Sequence, residues 1–111
     1  MLHRHPQAAV SLFAIWEPIL DDDTAPPYLP ALQRLNDPRV RQFWDPGRRM
    51  AAILRTVQLP PHCCVYQKTY LWDLIAAWTP GARWQAAPPR PALFDGTMLR
   101  ASPQLDALLH P

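Results

Sequence analysis

Lysine is nearly missing from this 111-residue chain: ten arginines and a single lysine give a net charge of only +2. No run of five basic residues exists and only Arg48-Arg49 pair up, so the electrostatic footprint of nucleic-acid binding is absent. Glycine is scarce too. Three glycines cannot build a phosphate-cradling loop, and no Ser-His-Asp arrangement or paired zinc motif accompanies them. The only cysteines, Cys63 and Cys64, are neighbours, which excludes a disulfide framework joining distant segments. No stretch reaches the roughly 18 apolar residues that span a bilayer. The segment after His3, Arg4 and His5 carries Glu17 and Asp21 and has no A-x-A-type cleavage site. No signal peptide is read there, and the expected compartment is the cytoplasm.

What is present describes one folded domain. Hydrophobic residues make up 49% of the chain and five are tryptophans, which argues against disorder and makes the tryptophans expected core residues. The fifteen prolines gather in connectors, at Pro26, Pro27 and Pro30, at Pro60 and Pro61, and at Pro88, Pro89 and Pro91. They form stiff joints and no PxxP array. The arginine and alanine bias fits a GC-rich coding background. No internal repeat is found.

The pattern of segments is α/β. Residues 8–16 are apolar on both alternating faces, as in a strand covered on both sides, and Glu17-Pro18 ends them. Asp21-Asp22-Asp23-Thr24 is a polar loop. A helix is expected from about Pro26, with Tyr28, Leu32 and Leu35 on one face and Asn36-Asp37-Pro38 closing it. A short strand follows at 40–44, and Asp45-Pro46 opens a second helix as N-cap and first helical residue. Met50, Ile53, Leu54 and Val57 form its apolar face. Leu59 to Lys68 is a connector, and Thr69 to Trp78 a long strand. Thr79-Pro80-Gly81-Ala82 is a type II turn from which Arg83-Trp84-Gln85 pairs back. Residues 86–101 have no evident pattern, and Ser102-Pro103 opens a last helix bearing Leu105, Leu108 and Leu109.

This order, with the stretches Ile15-Trp16-Glu17-Pro18-Ile19-Leu20, Asp37 to Asp45 and Leu71-Trp72-Asp73, resembles bacterial thioredoxin-like proteins. The resemblance covers roughly residues 7 to 109 and is closest to the TlpA and peroxiredoxin branch. It implies an incomplete thioredoxin-like three-layer sandwich: a mixed sheet of about three to four strands with helices on both faces. The family's N-terminal strand and its Cys-x-x-Cys helix have no counterpart here, and no proline immediately precedes Thr69, where the family's cis-proline belongs. The resemblance therefore implies a truncated or vestigial member without conventional oxidoreductase activity, needing no cofactor. It would act by binding a protein partner or by self-association through exposed strand edges.

Several residues carry candidate chemistry beside a plainer structural role. His62-Cys63-Cys64 offers thiolates beside an imidazole, suited to thiol-disulfide redox chemistry or to a soft metal, or else two incidental cysteines. Asp73, inside an apolar run, is either a proton-carrying carboxylate or a paired aspartate fixing sheet register. Arg48 and Arg49, in a first helical turn, can hold an anion or form a solvated face. Asp21 to Asp23 lacks the spaced ligands of a calcium loop and reads as a solvated turn.

Overall fold

Carboxylates and prolines decide where the regular elements of this chain begin and end. The computed structural model describes residues 1–57, 60–66 and 70–110. Their order is a 3-10 turn (Leu2–Arg4), β1 (Leu12–Trp16), α1 (Leu29–Gln33), β2 (Val40–Trp44) and α2 (Arg49–Leu54). There follow β3 (Val65–Tyr66), β4 (Tyr70–Leu71), β5 (Leu74–Ala77), β6 (Leu93–Gly96) and α3 (Met98–Leu109). The architecture is mixed α/β. Strands β1 and β2 pair in parallel, β3 with β4 and β5 with β6 antiparallel. The expected single sheet is thus corrected to three separate pairs among the described residues. The physical reason for one division is Asp73, whose φ of 51° is left-handed and breaks the 69–78 run into β4 and β5. Thr69 and Lys68, at the expected start of that run, lie outside the described residues, as do Gln58 and Leu59.

Strand β2 has the expected bounds, and β1 ends at Trp16 as Glu17-Pro18 requires. The register runs from Leu12 opposite Val40 to Trp16 opposite Trp44. Coverage on both sides is not observed. Phe13 is 56% exposed and Phe43 49%, their rings 6.2 Å apart on the open face. On the other face, Trp16 Nε1 donates to Gln42 Oε1 at 3.0 Å, and Gln42 Nε2 donates to the Leu32 carbonyl at 2.8 Å, tying α1 to the strand pair. Helix α1 starts later than expected, with Pro30 rather than Pro26 in its first turn.

Arg39 fastens the N-terminal segment to this unit. Its Nε and Nη2 fork onto the Asp37 carboxylate at 2.9 and 2.7 Å. The guanidinium also donates to the carbonyls of His5, Ala8 and Leu2 at 2.7, 3.4 and 3.1 Å. Arg39 holds the Asp37 carboxyl down at about 2.

Helix α2 begins at Arg49 because Arg48, at φ 52°, occupies the left-handed region at the N-cap. Pro46 is therefore not its first helical residue. Asp45 still serves the helix: its Oδ2 accepts the Met50 N–H at 2.7 Å, while Glu17 Oε1 accepts that of Ala51 at 3.0 Å. Burial pushes the Glu17 carboxyl above its usual range, and neighbouring Asp45 adds to the effect. The helix buries Ala51 and Leu54, which join Cys63, Leu71 and Phe94 in the core, with Met50 and Val57 packed against them. Ile53, expected on that face, is 40% exposed.

The Thr79–Ala82 turn forms, with the Ala82 N–H on the Thr79 carbonyl at 3.2 Å and Gly81 at φ 88°. Its expected partner 83–85 is not a strand. Trp84 instead packs edge-on against Trp78, whose Nε1 donates to the Pro89 carbonyl at 2.8 Å. The true partner of β5 is β6, hidden in the stretch without evident pattern and buried along its whole length. Helix α3 then starts at Met98, with Thr97 as N-cap, so Pro103 lies inside it rather than at its start. Trp72 and Trp84 are 45% and 42% exposed, outside the expected tryptophan core. Pro60 and Pro61 line a cleft together with Pro88, Pro89, Pro91 and the buried Phe94. Among the described residues no helix is long and apolar enough to cross a membrane.

Replacing Asp45 with Ala removes the acceptor for the Met50 amide. It is expected to lower stability by about 0.5–2 kcal/mol, the usual effect of losing a helix cap, read as a lower denaturation midpoint.

Candidate functional site

The Pro60-Pro61 connector carries His62, Cys63 and Cys64 to the end of the β3–β4 pair. The Cys63 N–H bonds the Pro60 carbonyl at 3.0 Å, and the Trp72 N–H bonds the Cys64 carbonyl at 3.0 Å. The first closes a local turn and the second adds a rung beside the Val65–Leu71 pairing. A cavity of about 240 Å³ opens where this connector meets the end of β6 and the start of α3, lined by His62, Cys64, Trp72, Asp73, Gly96, Thr97 and Arg100. Cys63 is buried at 6% exposure, whereas Cys64 is half-buried and faces the cavity. The two sulfurs lie against each other. Cys64 holds a φ of 81°, a backbone state that costs a non-glycine residue about 1–3 kcal/mol.

Asp95 organises the cavity wall. Its Oδ1 accepts from His62 Nε2 at 3.0 Å, from Arg100 Nη2 at 2.7 Å and from the Gly96 N–H at 2.8 Å, and Oδ2 accepts from Gln104 Nε2 at 3.3 Å. The Gly96 amide foremost, then Arg100, His62 and Gln104, hold its carboxyl down at about 2. Arg100 also donates to the Gly96 carbonyl. His62 and Arg100, both engaged by the Asp95 carboxylate, line the same cavity as Cys64.

Asp73 is not within a strand. It sits between β4 and β5, half-buried, and its Oδ1 accepts the Met98 N–H at 3.0 Å, capping α3. Thr97 Oγ1 accepts the Arg100 N–H at 3.4 Å beside it. Gly96 is required by close approach: a Cβ there would stand 2.5 Å from the Asp73 carbonyl oxygen and 3.1 Å from Cys64 Sγ. Strand β6 can therefore lie directly under both.

The structure brings His62, Cys64 and Asp73 together on one cavity, with Cys63 behind Cys64. Arg48 and Arg49 do not line it. Arg48 Nε donates to the Pro18 carbonyl at 2.7 Å, and Arg49 is exposed on the six-residue α2. In the acidic loop Asp23 accepts the N–H groups of Ile19 and Leu20 at 3.0 and 2.9 Å, closing a turn. Sequence reasoning missed Asp95, Gly96, Thr97 and Arg100. The available signal was the run Leu93-Phe94-Asp95-Gly96-Thr97: a carboxylate among buried apolar residues, then a glycine and a helix-capping threonine.

Comparison with protein-family models, with curated proteins and with solved structures found no match for this chain.

Two outcomes follow from this geometry. Gly96→Ala drives a methyl into backbone and is expected to destabilise by about 1–3 kcal/mol, as overpacking does, in chemical denaturation. Asp95 is depressed from 3.8 to about 2 on folding, so its contribution is full above pH ~4 and fades as pH falls toward 2. Asp95→Asn is expected to be less stable at neutral pH and to lose less stability between pH ~4 and ~2, measured by melts across that window.

Proposed function

We propose that this chain is a thiol-disulfide redox protein working through Cys63 and Cys64. The observation that carries the reading is the asymmetry of the pair: Cys64 opens onto a cavity beside His62 and Arg100, while its neighbour Cys63 is buried. An exposed attacking sulfur with a protected second sulfur behind it is the arrangement a dithiol exchange needs. In the reduced form the Cys64 thiolate attacks one sulfur of a substrate disulfide. That disulfide breaks, its other sulfur leaves as a thiolate and takes up a proton, and Cys64 holds the mixed disulfide. The Cys63 thiolate then attacks Cys64 Sγ, the second substrate sulfur leaves as a thiol, and two electrons have passed to the substrate. A small dithiol restores the reduced form by the reverse exchange. The strained backbone at Cys64 supports the reading, since such conformations cluster where a site needs them.

The thioredoxin-like resemblance of the sequence implies a strand-helix-strand start, which β1, α1 and β2 follow, whereas the two antiparallel pairs after α2 stay separate and form no single sheet. The vicinal pair would then stand in place of the missing Cys-x-x-Cys. A second reading, a partner-binding domain without redox activity, is favoured by surface area. The chain exposes 8207 Å², against roughly 6,200 Å² for a compact chain of this mass. The open Phe13–Phe43 face and the strand edges supply part of that excess.

The deciding experiment follows reduction of a small mixed-disulfide peptide by dithiothreitol in the presence of the protein. Catalysis is expected, falling to the protein-free rate in Cys64→Ser. Cys63→Ser is expected to accumulate a protein–peptide disulfide visible by intact mass. A wild-type rate equal to the blank would reject the redox reading in favour of the binding one.

A further inference from the structure

A second cluster lies outside that cavity, where the chain's first turn meets the end of α3. One ligating atom each from His5, Asp106 and His110 lies within 4.8 Å of the other two. We propose that these residues bind a divalent cation of borderline softness, with Zn²⁺ as the representative ion. Two imidazoles and a carboxylate are a donor set for such ions. A tetrahedral zinc at its usual bond lengths sets donors about 3.4 Å apart, so modest side-chain rotations close the present spacing.

The pieces are already placed. His5 is buried at 8% exposure, with Nε2 2.8 Å from Asp106 Oδ1. The His110 ring stands edge-on to the His5 ring, centroids 4.6 Å apart. Asp106 lies in the last turn of α3 and His110, four residues on, is its C-cap. His5 comes from the opposite end of the described chain and is held by Arg39, which donates to its carbonyl at 2.7 Å. The third ligand therefore needs no large loop closure. The C-terminal end of α3 carries the negative pole of the helix dipole, which favours a cation there. His110 is exposed, so three protein ligands leave the solvent side open to water or to a small external ligand.

One local group opposes the ion. Arg4 Nη2 lies 3.0 Å from the same Asp106 Oδ1, with its side chain 59% exposed. A bound dication displaces it into water. Arg4 thus acts as a competing cation, which a site that served only as a structural ion pair would not reveal.

The proposal is independent of the thiol reading, and its test separates the two. The full chain is titrated with Zn²⁺ by calorimetry and thermal melting, and with Co²⁺ by absorption spectroscopy. One equivalent is expected to bind and raise the melting temperature, and the cobalt spectrum should show nitrogen and oxygen ligation without a sulfur-to-cobalt band. His110→Ala, at an exposed position, should melt like the wild type without zinc and weaken binding roughly tenfold or more. Arg4→Ala should tighten binding. Absent binding, binding unchanged in His110→Ala, or a sulfur-to-cobalt band for the one equivalent would each overturn the assignment.

Discussion

A single carboxylate, Asp95, holds the candidate site together. Four donors converge on it from three parts of the chain: His62 from the connector, the Gly96 amide from its own strand, and Arg100 and Gln104 from α3. A nearly buried charge is tolerated only when its lone pairs are filled, so the carboxylate selects the one arrangement in which these segments meet. Without that convergence nothing described here fixes the imidazole of His62 beside Cys64. Gly96 completes the constraint by letting the β6 backbone approach the Asp73 carbonyl and the Cys64 sulfur together.

The other half of the molecule depends on Arg39 in a parallel manner. Its guanidinium satisfies the Asp37 carboxylate and three carbonyls of the N-terminal segment. These residues precede β1 and form no strand of their own; each of the three carbonyls already accepts a local backbone N–H, and Arg39 adds a second donor that ties the segment to β2. Arginine suits the task because its planar fork meets a carboxylate with one edge and leaves further N–H groups free for carbonyls. The same contact positions His5 against α3, so the two ends of the described chain are linked through Arg39.

Local signals in the sequence were legible wherever one residue decided the outcome. Glu17-Pro18 ended β1, residues 40–44 formed β2, and Pro80-Gly81 made its turn, each with its physical cause in view. The misses arose where a long-range partner overrode a local preference. Pro103 looked like a helix start because proline suits a first turn, yet Thr97 and Asp73 cap α3 five residues earlier. Asp73 read as part of a strand because its flanks are apolar, and its left-handed backbone could not be seen from composition. The site was half legible. His62, Cys63, Cys64 and Asp73 stood out by chemistry, whereas Asp95 and Arg100 gain meaning only once β6 and α3 are placed and His62 reaches Asp95 across the fold.

The prolines of the cleft carry a consequence for spectroscopy. Pro60, Pro61, Pro88, Pro89 and Pro91 possess no amide proton. Those positions of the cleft are consequently silent in amide hydrogen exchange and in nitrogen-correlated proton spectra, and only Thr56, Val57, Arg90 and Phe94 of its lining keep an amide. A ligand settling between them would leave its record in carbon-detected proline signals, or in the indole N–H of Trp78, which reports on the cleft through its bond to the Pro89 carbonyl.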